Sequence, residues 1–275
     1  MPTDDFVFRE NLGVSFYSCR AFESLPWLRH GFSTRRGGAD GKPLNLHPTA
    51  GDDPERINDN RRRLLCALGL ENAALASLNQ IHSDRVYVVG DSKPGTEIYE
   101  GDAIVSNVEN AAVAVKTADC FPILIVDPNR RVVGAVHSGW RGTLSRILPG
   151  TINEMLRRFQ SDPACLMAAI GPAIRECCFE VGEDVARLFS RGYPQITTAQ
   201  PHPTAPGKYL VNLAAVLKEQ LTQSGIPQEN QYDIGMCTCC GTSDFFSWRD
   251  EGAAAGRMMA VIGISELTSS VCGKQ

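Results

Sequence analysis

Histidine is scarce in this sequence. Five occur in 275 residues, beside three tryptophans, so an imidazole delivered by a strand end calls for an explanation. Several motifs are missing altogether. No Walker-type phosphate loop and no GxGxxG after a strand is present, which removes the usual cradles for ATP and dinucleotides. No block of five or six like charges occurs and net charge is −4, a balance with no pull toward nucleic acid or an anionic membrane. No apolar run approaches the roughly 20 residues of a membrane span. The stretch MPTDDFVFRENL is acidic and lacks the apolar core of a signal peptide. Internal repeats and low-complexity tracts are absent too. These absences leave a cytoplasmic protein acting on a small molecule.

What is present is ordinary globular composition, 43% hydrophobic and 21% charged. A chain of this size buries roughly three quarters of its unfolded surface and needs no staples. Ten cysteines without a secretion signal read as reduced thiols, some of them metal-bound. No linker divides the chain, so a single domain over 1–275 is expected.

The stretch 30–54 is rich in Gly, Pro, Asp and Asn and reads as loop. Asp53 then caps a helix with Pro54 in its first position and Leu64, Leu65 and Leu68 on one face. Its RRR at 61–63 reads as a solvated face. Apolar, β-branched runs at 86–90, 111–120, 121–128, 132–139, 165–174 and 256–264 predict strands, several in hairpins of a mixed or antiparallel sheet. Residues 144–159 predict a helix disturbed at Pro149. EDVARLFSR and VNLAAVLKEQLTQSG predict amphipathic helices, the second closed by Gly225. The pattern is α/β or α+β in one domain.

Two histidines stand beside strand ends, His82 in NQIHSDRV and His137 in GAVHSGWRG. Cys120 sits where one apolar run stops and the next begins, as a corner core cysteine, a nucleophile or a metal ligand. Together the three make a His/Cys/His set, which suits a zinc ion with one open position, the catalytic pattern. Such an ion generates a nucleophile from water near neutral pH. Asp119, or another carboxylate nearby, would orient a histidine or shuttle a proton. The same residues also suit Cys120 as nucleophile with His137 as its base; spacing does not separate the two. Arg35 and Arg141 lie in glycine-bearing loops suited to phosphate or carboxylate, or are solvated surface. Trp140 caps the core or stacks on a planar ligand. CTCC at 237–240 has no second CxxC pair facing it, and Cys177–Cys178 are vicinal, so a structural metal there is not expected.

Ten stretches in order resemble one family: GFSTRRGG at 31–38, PLNL at 43–46, GDDPERINDNRRRL at 51–64, NQIH at 79–82, TADCFPIL at 117–124, AVHSGWRGT at 135–143, IGPAIRECCFEVG at 170–182, CTCC at 237–240, FFSWR at 245–249 and GRMMAVI at 256–262. The chain resembles the YfiH/laccase-domain family, also called the multicopper polyphenol oxidase or peptidoglycan-editing-factor family, whose members are described as purine nucleoside phosphorylases with adenosine deaminase activity. The resemblance implies one zinc on His82, Cys120 and His137. It implies a single α/β domain with a mixed sheet or sandwich core flanked by helices, similar to cysteine-hydrolase-like toxins. It places Arg35 and Asn45 on the substrate or phosphate side. The sequence departs from the family in three places. Thr49 stands at the register of a histidine common before the GD pair, with His47 two residues earlier. Cys239 stands where tyrosine is common, and FFSWRDE lacks a second adjacent arginine.

The reading that follows is a zinc-dependent purine nucleoside phosphorylase and adenosine deaminase, taking a purine nucleoside and phosphate. Cys120, His137 and Asp119 would be catalytic, with Arg35, Asn45 and Arg141 toward substrate. The rivals are a cysteine hydrolase in cell-wall precursor editing, a copper polyphenol oxidase, for which five histidines are few, and a non-catalytic binding module.

Overall fold

A computed structural model describes residues 3–49, 52–90 and 99–265. The remaining residues, including both ends of the expected 1–275 domain and Ala50–Gly51 of the GDD loop, lie outside that description. The chain opens with a hairpin, β1 (Phe6–Asn11) and β2 (Val14–Cys19), then a single turn α1 (Arg20–Glu23) and β3 (Leu28–Ser33). The predicted loop therefore starts after β3. Helix α2 (Pro54–Leu68) follows, then β4 (Ala74–Ser77), β5 (Val86–Val88), β6 (Ala103–Ser106), β7 (Ala111–Thr117), β8 (Phe121–Asp127) and β9 (Val132–Ser138). Next come α3 (Trp140–Leu144), α4 (Ile147–Phe159), β10 (Met167–Ile170), β11 (Glu180–Gly182) and α5 (Glu183–Gly192). The described chain closes with β12 (Ala199–Pro201), β13 (Lys208–Val211), α6 (Leu213–Gln223), β14 (Gln231–Asp233), α7 (Trp248–Glu251) and β15 (Met258–Ile264).

Two six-stranded mixed sheets form, in the orders β1-β2-β3-β15-β7-β4 and β14-β10-β8-β9-β6-β5, with a small third sheet β11-β13-β12. The apolar runs at 111–120 and 121–128 do not form a hairpin with each other. β7 pairs with β15 and β4, whereas β8 pairs with β9 and β10. The chain leaves one sheet for the other at Ala118–Cys120.

Alternation of side chains explains the stacking. Along β8, Leu124 and Val126 face the other sheet while Ile123 and Ile125 face helices α4 and α6. Along β7 and β15, Val113, Val115, Ala260 and Ile262 face inward, while Ala112, Ala114 and Val261 meet α2. The result is a four-layer α/β/β/α arrangement in which the central strands are apolar on both faces. That is why they read as unbroken apolar runs.

The helices obey local rules with two differences from expectation. The Asp53 side chain accepts from the Glu55 N–H, and α2 ends at Gly69 with φ +70°. In the RRR run only Arg62 is solvated. Arg61 Nε donates to the Leu46 carbonyl at 2.9 Å and Arg63 Nε to that of Gly37 at 3.2 Å, so two of the three pin the 34–53 loop to α2. The predicted helix 144–159 is two helices broken at Arg146, which is left-handed at φ +61°. Pro149 falls in the first turn of α4, where its missing N–H costs no hydrogen bond.

Candidate active site and metal centre

Three connections meet where β7 crosses to β8. His82 lies on the loop between β4 and β5, Cys120 at the crossing itself and His137 near the end of β9. Their ligand atoms all fall within 4.8 Å of one another. Cys120 Sγ lies 4.0 Å from His82 Nε2, and the two imidazole rings stand edge to face with centroids 5.0 Å apart. His82 takes a left-handed backbone, φ +58°, and Asp119 another, φ +86°, so both ends of this junction turn sharply. Gly139 needs its missing Cβ: one built there would lie 3.0 Å from Cys120 Sγ and 3.3 Å from the His82 ring.

Asp102 is the residue that sequence reasoning missed. It is fully buried and accepts from His137 Nδ1 at 2.8 Å, from the backbone N–H groups of His82 and Ser83, and from the Ser83 hydroxyl. One carboxylate thus fixes two of the three donors and leaves Nε2 of His137 to face the site, the arrangement that orients metal-ligating imidazoles. Its only sequence signal is an acidic residue opening an apolar strand. Burial opposes its charge, but the His137 and Ser83 bonds hold its pKa at about 2. Burial likewise opposes ionisation of Cys120 and His137. Their mutual attraction wins, lowering the Cys120 thiol to about 6 and, with Asp102, raising His137 to about 9. A thiolate between two imidazoles matches the donor set of a zinc ion with one free position.

Asp119 was expected to orient a histidine. Its carboxylate is engaged elsewhere, accepting from the Thr238 hydroxyl at 2.6 Å and the Arg249 backbone N–H at 2.7 Å. A cavity of about 480 Å³ opens over the three donors and Asp119, within the roughly 300–1,000 Å³ typical of small-molecule sites. Trp140, Phe179 and Trp248 supply aromatic faces to it, and Lys116, Arg249 and Arg257 supply cations. Trp140 lines the cavity and packs against the core. His47 also lines the cavity, and its Nδ1 is buried with no hydrogen-bond partner among the described residues. Desolvation, then Lys116, Arg61 and Arg257, hold it neutral with a pKa of about 4.

The three residues assigned to the substrate side do not line this cavity. Arg35 stacks on Phe246 and bonds to the Thr242 carbonyl and Glu251. Asn45 is buried and its Oδ1 accepts from the backbone N–H groups of His47 and Arg257. Arg141 is exposed, its guanidinium 4.2 Å over the Trp140 ring. Each therefore touches a cavity residue or the loop that carries one, from behind.

A buried carboxylate–histidine pair beside a half-buried cysteine, under a cationic, aromatic cavity on a mixed α/β sandwich, makes a candidate active site. The chain belongs to the family described as multi-copper polyphenol oxidoreductase laccase, which matches residues 29–265. It is 38% identical over 252 residues to a purine nucleoside phosphorylase of Deinococcus radiodurans, covering 87% of this chain and 93% of that protein. It is 34% identical over 237 residues to adenosine deaminase RL5 of an unknown prokaryotic organism, covering 82% and 90%. The crystal structure of YlmD from Geobacillus stearothermophilus superposes with a TM-score of 0.84 at 30% identity, over 94% of this chain and 99% of that one. Among the described residues no helix is long and apolar enough to cross a membrane.

Proposed function

We propose that this chain is a cytoplasmic purine nucleoside phosphorylase that also deaminates adenosine. One observation carries the reading: a single cavity joins the His82–Cys120–His137 donor set to three cations and three aromatic faces. The names borne by the Deinococcus and RL5 relatives support it. In phosphorolysis a phosphate oxygen bonds to C1′ as the C1′–N9 bond breaks. The electron pair leaves on the purine, which takes a proton and departs as free base. Lys116 and Arg257 hold the phosphate, with the neutral His47 ring beside them, and the aromatic faces hold the purine. In deamination the oxygen of water replaces the C6 amino group, which leaves as ammonia.

His82, Cys120 and His137 would hold a zinc ion, which when bound supplies Lewis acidity at neutral pH. Asp102 keeps the His137 ring in register, and Asp119 fixes Arg249 at the cavity wall. Arg35, Asn45 and Arg141 act as positioning residues for the Trp248–Arg249 loop, for His47 and Arg257, and for Trp140. Multicopper oxidation calls for several copper centres rich in imidazole. Of five histidines, His30 is committed to the Cys19 backbone N–H at 2.8 Å and His202 does not line the cavity.

Incubation with adenosine and phosphate tests this reading. Adenine and ribose 1-phosphate should form only with phosphate, inosine should form with or without it, and Cys120→Ala should abolish both. Absence of free base and of inosine beside a working control enzyme would sink the proposal. Full activity after chelation would remove the zinc from the reading, and hydrolysis of an amide substrate with neither purine product would replace the reading with a metal-free cysteine hydrolase built on the same Cys120–His137 pair.

A further inference from the structure

A second cysteine cluster lies behind the cavity wall. Cys177 and Cys178 occupy the turn after β10, and Cys237 and Cys240 the turn after β14, about sixty residues on. Their four sulfurs all lie within 4.8 Å of one another. Cys178 and Cys177 approach Cys240 to 3.3 and 3.6 Å. A tetrahedral zinc with Zn–S near 2.3 Å sets its sulfurs about 3.8 Å apart, and the observed spread brackets that spacing.

The local backbone fits a thiolate knuckle. Cys237-Thr-Cys-Cys240 is a CxxC step folded into a tight turn, with the Gly241 N–H on the Cys237 carbonyl at 3.0 Å. The Arg175 N–H points at Cys237 Sγ from 3.4 Å, a donor that offsets thiolate charge. Cys239, the odd member of the run, lies outside the four-sulfur group and packs against the core. Two thiols would be enough for a disulfide; four converging from two turns form a complete coordination shell. All four belong to this cluster, and none lines the His82–Cys120–His137 cavity.

We propose that Cys177, Cys178, Cys237 and Cys240 bind a structural zinc ion, distinct from the one at the cavity. Four protein ligands leave no open position, so the ion's task is to clamp two loops. Those loops build one wall of the active site. Ile174 and Phe179 flank the first pair and both line the cavity. Thr238, inside the second, holds Asp119, while Arg249 reaches from the cavity to the Cys178 carbonyl at 2.8 Å.

Metal analysis on a Cys120→Ala/His137→Ala protein purified under reducing conditions isolates this site from the other. About one zinc per chain should remain, with X-ray absorption giving four sulfurs near 2.3 Å. Adding Cys240→Ser should remove that zinc. Cobalt(II) in place of zinc should give the visible bands of a tetrahedral tetrathiolate. The proposal is overturned if the cavity variant retains no zinc and its four thiols titrate as free. Mass spectrometry that finds Cys240 disulfide-bonded to Cys177 or Cys178 in the reduced preparation overturns it equally. These readouts need no turnover, so they stand or fall apart from the phosphorylase reading.

Discussion

Asp102 does more for the cavity than any single charged residue that faces it. Its carboxylate accepts from the His137 ring and the His82 backbone, so the geometry of two of the three candidate ligands depends on one side chain. Asp102→Asn keeps the shape but offers an amide where His137 needs an acceptor. Zinc affinity should fall 10–100-fold, read by competition with a chromophoric chelator, and the melting temperature should drop as well, because the amide leaves buried donors unpaired. Lys116 gives a prediction of a different kind. Burial, then Arg61, depress its ammonium to about 8 from 10.5. The folded state thus releases this proton before the unfolded chain does. The penalty for burying the charge is complete below about pH 8 and gone above 10.5, so stability gains with rising pH across that window. Phosphate affinity should move the opposite way, with KM for phosphate climbing as pH rises through about 8. A flat phosphate KM from pH 7 to 9 would remove Lys116 from the anion site.

At the level of elements, the strand-to-helix junction from β9 to α3 shows what the motif AVHSGWRG is for. The strand carries His137 to the corner, Gly139 turns the chain without a Cβ, and Trp140 starts a helix whose first residue is cavity wall. Gly139→Ala would push a methyl into the space between Cys120 and the His82 ring. The backbone itself, φ −77° and ψ 176°, suits alanine, so the fold should survive with an unchanged far-UV spectrum while metal binding weakens by an order of magnitude or more. The start of helix α2 was legible because capping chemistry is local: Asp53 and Pro54 announce it, and the left-handed Gly69 closes the other end. The break at Arg146 was not, since no glycine or proline marks it.

Across the whole molecule, the donor set was readable and its supports were not. His82, Cys120 and His137 each sit at the end of an apolar run, a local signal. Asp102 is twenty residues from one of its partners and thirty-five from another, and the four-sulfur cluster joins turns sixty residues apart; no periodicity reports such meetings. The split into two sheets was hidden for a related reason. Strands apolar on both faces look alike whichever sheet they join, so the sequence did not tell which sheet β7 and β8 would enter. For Arg35, Asn45 and Arg141, motif position suggested a ligand contact, and the fold sets them beside residues of the cavity loops and not in the cavity lining.

The position of β15 carries a consequence for how the molecule is made. This strand lies between β3 and β7, yet it is the last one synthesised among the described residues. Until it arrives, β3 and β7 have no shared neighbour, and the inner faces of Val113, Val115 and Phe32 have no β15 residues beside them. Pairing across more than two hundred residues of chain pays its loop-closure entropy late and folds slowly. A chain in which β15 has not yet paired would therefore be an open, aggregation-prone species. Closure of the first sheet, and with it the wall that carries Cys120 to the corner, waits for β15.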